Sequence, residues 1–285
     1  MKTRARSEIL FLFFALPSLT GMLLFFVAPL GVSLYLAVVD NALTYRFVGF
    51  QNFKNVMESE VFRLALKNTG LFMAICVPAN MLFPLFAAIL LRKAGARKGL
   101  FGMFLLLPLV IPSGSMAFFW RSLFGLNGAV NGTFFPDAPV HWLNTGWSRV
   151  IITGVFIWKN AGFNIVLYLA GLALIPREYY ECAALEGAGR FRQFLQITMV
   201  YIIPTSFLVF IMSVINSFKA FKEIYLIAGA YPHHSIYLLQ HYIYNQFTSL
   251  DYQKLSAASY ILMAITIGIV VFMFRFQRRL SENFS

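Results

Sequence analysis

The chain reads as an all-α membrane protein, a bundle of six transmembrane helices with both termini cytoplasmic. Three observations lead there. Of its 285 residues 59% are hydrophobic and only 12% charged, where a soluble chain carries about a quarter charged. Mean hydropathy is +0.72. The apolar stretches are continuous over roughly the 20 residues that a bilayer core requires, rather than alternating as barrel strands do. Six such helices use about 120 residues, which leaves no room for a large soluble domain. A cytosolic enzyme and a disordered chain are thereby excluded, a β-barrel is not expected, and a single transmembrane domain over residues 1–285 is.

The elements follow in order. A first span is expected over 9–39, behind the basic Lys2, Arg4 and Arg6. It is far longer than a signal-peptide core of about 7–15 residues, and Pro17 and Pro29 are expected to bend it. The second is expected over 69–91, with Pro78 and Pro84, and the third over 100–120, with Pro108 and Pro112. The fourth covers 150–175, the fifth 197–215 with Pro204, and the sixth 255–276. Three outer loops remain, too long for simple turns, so short surface helices are expected in them. Cys76 falls in an apolar run and Cys182 in a charged loop, so no disulfide is expected.

The formal charge is +12, which on a soluble chain would point to nucleic acid. Here the basic residues cluster in short segments of one side. These are the N-terminus, the turn Arg92-Lys93-Ala94-Gly95-Ala96-Arg97-Lys98, the loop with Arg177, Arg190 and Arg192, and the tail with Arg275, Arg278 and Arg279. That asymmetry sets orientation, placing these segments in the cytoplasm, so the positive charge is topological and no nucleic-acid partner is expected.

Chemistry of the chain's own is missing from the pattern. No Gly-x-x-x-x-Gly-Lys-Ser/Thr phosphate loop occurs, so ATP and Mg, if used, bind another chain. No His-Glu-x-x-His or paired-cysteine zinc spacing is present, and His141, His233, His234 and His241 read as loop residues. The acidic residues are assigned to loops or span edges, with Glu223 among the outer ones. Ion- or proton-coupled carriers carry intramembrane carboxylates, so a secondary carrier is the weaker alternative. A membrane-embedded enzyme is weaker still, for want of a nucleophile and base set.

One cytoplasmic loop, 176–196, is longer than topology requires. Pro176 suits a helix start, and Glu178 and Glu181 in the first turns favour the helix dipole. Tyr180, Ala184, Ala188 and Phe191 recur at helical spacing on one face, and Gly187 and Gly189 end or bend the helix. The pattern predicts a short helix, a bend, and a second short helix leading into span five. Spacing alone leaves two readings open: a docking element for a cytoplasmic subunit, or an interfacial helix lying on lipid.

These residues resemble the cytoplasmic "EAA" loop of binding-protein-dependent ABC importer permeases. Glu181-Cys182-Ala183 stand for the Glu-Ala-Ala triplet, Gly187 for the glycine, and Ile197-Thr198-Met199-Val200 for the ending. Ile175-Pro176-Arg177-Glu178 and Glu186-Gly187-Ala188-Gly189 resemble the carbohydrate branch of that family. Cys182 replaces an alanine, Glu186 the usual Asp and Val200 a proline. Trp142-Leu143, Trp158, Gly162-Phe163-Asn164 and Ala170-Gly171-Leu172 resemble the family's approach to the loop, and the N-terminal span resembles the maltose-F-type subunit.

The resemblance implies a bacterial or archaeal multi-pass protein of the cytoplasmic membrane, itself without catalytic residues or metal. It implies a second, maltose-G-type permease, an ATPase dimer that binds ATP and Mg, an extracytoplasmic sugar-binding protein, and surrounding lipid. Glu178, Tyr180, Glu181, Cys182, Ala183, Ala184, Glu186, Gly187 and Ala188 would contact the ATPase. A sugar path needs aromatic faces and amides. Trp158, Asn160, Asn164 and Tyr168 on span four and Asn216 on span five are the candidates, three of them at i, i+4 and i+8. Interhelical hydrogen bonding is the other use of such residues.

Overall fold

The structure, a computed structural model, describes residues 14–41, 44–93 and 98–284. Lys2, Arg4, Arg6, the expected start of the first span at Ile9, and Ala94-Gly95-Ala96-Arg97 of the basic turn lie outside the described residues. The regular elements of the described chain are all helices, and β pairing among the described residues is limited to one bridge, Val39 to Phe47.

Twelve helices are used below. They are α1 Phe14–Ala37, α2 Gln51–Glu58, α3 Glu60–Lys93, α4 Lys98–Val110, α5 Ser113–Phe124 and α6 Ala129–Phe134. There follow α7 Trp147–Ala173, α8 Arg177–Leu185, α9 Met199–Lys219, α10 Phe221–Ala228, α11 Leu239–Thr248 and α12 Tyr252–Phe284. A helical lead-in, Arg190–Gln193 with a wide π turn at Phe194–Thr198, runs into α9. Among the described residues five stretches are long and apolar enough to cross a bilayer: α1, most of α3, α7, the run Arg190–Ala228, and the first part of α12.

The third expected span, 100–120, is observed as two helices. Pro108 stays inside α4, but the chain breaks at Ile111-Pro112. Pro112 has φ −59° and ψ 144° and caps α5. A proline cannot donate to the carbonyl four residues back, and its ring keeps the preceding residue out of the helical region.

Backbone packing divides the chain into two compact units. The first holds the residues up to Arg63 together with Ile243–Val271. In it the Asn52 amide donates to the Ala37 and Val39 carbonyls, at 3.1 and 2.7 Å, and caps the end of α1. The Asp40 carboxylate accepts from the Thr44 hydroxyl and from the Asn41 and Arg46 amides. The Thr44 bond above all holds that carboxyl below its ordinary range. The Tyr260 hydroxyl donates to the Leu30 carbonyl at 2.6 Å. Just before Pro29, α1 widens into a π turn over Leu23–Val27, which relieves the clash between a proline ring and the preceding turn.

The second unit, Leu64–Tyr242 with Phe272–Ser285, is organised by α7, which contributes to both of its apolar cores. One core joins Phe72 of α3, Met116 and Ala117 of α5, Val155 and Phe156 of α7, and Ile224 and Ile227 of α10. The other joins Leu85 and Ala88 of α3, Leu105 of α4, Ile165, Tyr168 and Leu172 of α7, and Ile202 and Val209 of α9. Where α7 and α9 meet, a Cβ on Gly171 would lie 2.3 Å from the Thr205 hydroxyl oxygen, so only glycine permits that approach.

Proline chemistry also ties α3 to α7. Pro84 has no N–H for the Asn80 carbonyl four residues earlier, and that freed acceptor takes a 3.1 Å bond from the Asn164 side-chain amide.

Candidate functional site

The loop 176–196 forms the expected helix, bend and second helix. Pro176 stands at the cap of α8 with ψ 137°, and Glu178 lies in its first turn. At the other end Gly187 has φ +79°. Its N–H bonds to the Ala184 carbonyl at 3.0 Å, and the Ala188 N–H bonds to the Ala183 carbonyl at 2.9 Å. That pair of reversed bonds is the Schellman ending, in which a left-handed residue lets the last helical carbonyls find donors. Nothing lies within 4 Å of a Cβ built on Gly187. The requirement for glycine there is therefore one of backbone conformation, not of space.

The outward face of α8 differs from the expected one. Tyr180 turns toward the bundle, where its hydroxyl bonds to that of Thr198 at 2.9 Å and the Arg92 guanidinium lies 5.8 Å from its ring centre. Ala183 and Ala188 are half-buried. Glu178, Glu181, Cys182 and Leu185, spaced i, i+3, i+4 and i+7, point away from the chain, together with Ala184, Glu186 and Gly187. Leu185 is 90% exposed. Tyr180, Ala183 and Ala188 thus seat the helix, and the face opposite them is the one left open. Periodicity finds a face but not its direction, and Thr198 and Arg92, distant in sequence, decide the direction.

The five polar or aromatic residues expected to share a path are dispersed. Trp158 packs edge-on against Trp120, ring centres 5.5 Å apart. Asn164 and Tyr168 are each 1% exposed. Asn164 is committed to the Asn80 carbonyl, and Tyr168 belongs to the core between α3, α7 and α9. For these two the arrangement is interhelical glue, because the i+4 and i+8 positions of α7 face its own neighbours. Asn160 and Asn216 are brought together: the Asn216 amide donates to the Asn160 side-chain oxygen at 2.9 Å, and both stay half-buried.

Sequence reasoning missed one cluster. Lys159, at the middle of α7, forms an ion pair with Glu223 of α10. Its ammonium also donates to the Ser113 hydroxyl at 2.8 Å, and Ser113 lies 3.3 Å from the same carboxylate oxygen. Ser113 opens α5 directly after the Pro112 break. Glu223, expected in an outer loop, belongs to the apolar helical run Arg190–Ala228 and is 12% exposed on its side chain. Lys219, Lys222 and Glu223 look like a loop in sequence. The half-buried cation on α7 is what admits the carboxylate.

Elsewhere in the second unit Asn68 donates to the His234 and Tyr237 carbonyls, at 2.6 and 3.1 Å, and accepts from Arg149 at 3.1 Å. Asn131 bonds to Leu126, Val140 and Trp142 and holds the turn between α5 and α7. His233 and His234 pack with their rings tilted by 43° and centroids 3.9 Å apart, whereas His241 is fully buried against Phe221. Burial pushes the His241 imidazole down to about 4. Among the described residues no group of three His, Cys, Asp or Glu comes together as a metal site.

With this geometry in place, comparisons identify relatives. A family model described as "Binding-protein-dependent transport system inner membrane component" matches residues 7–285. The chain is similar to the sn-glycerol-3-phosphate transport system permease protein UgpA of Rhizobium meliloti (strain 1021), 30% identical over 91% of this chain and 92% of that one. It is also similar to the probable ABC transporter permease protein YesP of Bacillus subtilis (strain 168), 30% identical over 75% of this chain and 72% of the relative. In fold it matches a crystal structure of a bacterial ABC transporter involved in the import of the acidic polysaccharide alginate. That match has a TM-score of 0.84 at 23% identity and covers 98% of both chains.

Proposed function

This chain belongs to the binding-protein-dependent transport system inner membrane components, and we propose that it is the non-catalytic permease half of an ATP-driven importer for a sugar or a related polyol. Its membership makes it a multi-pass subunit of the cytoplasmic membrane that serves an importer with a binding protein. The proposal adds a second, maltose-G-type permease beside it, an ATPase dimer that itself holds ATP and Mg and docks on α8, and a sugar-binding protein on the outer side. Six spans with both termini cytoplasmic remain part of it, with α4 and α5 together crossing once. The substrate class draws on the relatives named for sn-glycerol-3-phosphate permeases.

The observation that carries this reading is the outward face of α8. Glu178, Glu181, Cys182 and Leu185 form a small, partly apolar face that none of the described residues covers, held by the Gly187 ending and by Tyr180. An apolar residue as exposed as Leu185, on the polar side of a membrane protein, suits a partner surface. Closure of two ATPases would draw two such helices together. ATP need favour one of two packed arrangements by only a few kcal/mol to drive alternating access. Asn160 and Asn216, half-buried and paired only with each other and with backbone, are the remaining candidates for contact with sugar hydroxyls, with Trp158 as an adjoining aromatic face. Glu223 is the residue an ion-coupled carrier would use, and its pairing with Lys159 disfavours that role.

The test is uptake into proteoliposomes that hold this chain with its companion permease and ATPase. Labelled sugar should enter only with binding protein outside and ATP inside. Uptake driven by an ion gradient without ATPase would contradict the proposal.

A further inference from the structure

We propose that the cavity behind α8 binds the head group of an anionic phospholipid of the inner leaflet. The cavity measures about 520 Å³ and is lined by Ile89 and Arg92 of α3, Leu172 of α7, Tyr180 of α8, and Arg190, Gln193, Phe194 and Thr198 of the lead-in to α9. Its polar lining is cationic or neutral, without a carboxylate among the described residues. Neither Arg92 nor Arg190 makes an ion pair among the described residues.

The chemistry suits a phosphate diester. Two guanidinium groups offer forked donors to phosphate oxygens. The Tyr180 and Thr198 hydroxyls are hydrogen-bonded to each other. That pair has two hydrogens and uses one between its oxygens, which leaves the other to donate to a ligand. Ile89, Leu172 and Phe194 supply an apolar side on which the first acyl methylenes can lie. A free phosphate would need none of that apolar wall, so the lipid is the source to which the lining points.

The position fits as well. The cavity sits at the end of the bundle where α3 stops, α7 stops and α9 begins. On the orientation proposed above, that is the depth of the cytoplasmic lipid phosphates, where basic residues are attracted to anionic lipid. The ligand would bridge the three elements that seat α8, acting as a brace behind the helix rather than on its open face.

The experiment is native mass spectrometry of the full-length chain in its transporter complex, in detergent, titrated with phosphatidylglycerol and with phosphatidylethanolamine. Binding is read on the complex itself, so neither membrane orientation nor ATPase coupling enters the measurement. Phosphatidylglycerol should bind more tightly, and the Arg92→Gln/Arg190→Gln variant should lose about thirty-fold in affinity, some fivefold per arginine. Arg92→Lys/Arg190→Lys should keep most of it. Both arginines are exposed, so the variants fold. Unchanged phosphatidylglycerol affinity in the glutamine variant would overturn the proposal. Displacement of the lipid by millimolar inorganic phosphate would overturn the lipid assignment in favour of a soluble anion.

Discussion

Lys159 and Glu223, 64 residues apart in sequence, form an ion pair between the middle of α7 and the start of α10, with the Ser113 hydroxyl bridging them. Removing one partner strands a half-buried charge, which costs less than the ~3–5 kcal/mol of a fully buried one, whereas replacing both with apolar residues is milder still. Lys159→Met should therefore lower the unfolding midpoint of the purified permease sharply, and Lys159→Met/Glu223→Leu should recover most of the loss. A double-mutant cycle in thermal melts measures the coupling.

The two asparagine pairs separate path from scaffold. Asn160→Ala exposes Asn216 and removes a group available to substrate, so it should raise KM for uptake about five- to tenfold with little effect on folding. Asn164→Ala strands the Asn80 carbonyl freed by Pro84 and should lower thermal stability by about 1–3 kcal/mol with KM unchanged. Transport kinetics and melting curves on the same two variants check this.

His241 makes stability depend on pH. Its Nδ1 accepts from the Leu238 N–H at 3.2 Å, its Nε2 has no hydrogen-bond partner among the described residues, and it is held neutral, down from an ordinary 6.5 to about 4. Between those values the unfolded chain binds the extra proton. The stabilisation is complete above pH 6.5 and is lost as pH falls toward 4, by about 3 kcal/mol in all. Melting midpoints should fall over that window, and the slope should flatten in His241→Gln.

Gly187→Val forces a β-branched residue into the left-handed region, at about 1–2 kcal/mol. Space is open around it, so the damage is confined to the Schellman ending and the aim of α8. Insertion and expression should stay normal while sugar-stimulated ATPase activity is lost. Normal stimulation in that variant would remove α8 from the coupling role.

Much of this architecture is legible from local pattern. Continuous apolar runs locate the long helices, and Pro176, Glu178 and Gly187 mark the start and stop of α8 through capping rules that need no tertiary context. What stays hidden depends on distant neighbours. Pro108 and Pro112 look alike in sequence, yet only Pro112 breaks the helix, where Ser113 meets Lys159. Glu223 reads as a loop charge until a lysine on another helix receives it. Tyr180 reads as the centre of a docking face until Thr198 and Arg92 turn it inward. Asn164 reads as a path residue until the carbonyl freed by Pro84 is traced to it.

The central claim, that α8 presents its Glu178–Leu185 face to an ATPase, can be read from Cys182. That thiol is exposed on the open face, while Cys76, the chain's only other cysteine, is buried and serves as an internal silent control. The measurement is the rate of maleimide labelling at Cys182 in the permease pair alone and after the ATPase subunits are added. The account predicts ready labelling in the first state and at least about tenfold protection in the second, the scale of a surface excluded from solvent by a specific interface. Equal labelling in the two states, with the ATPase bound, would contradict it.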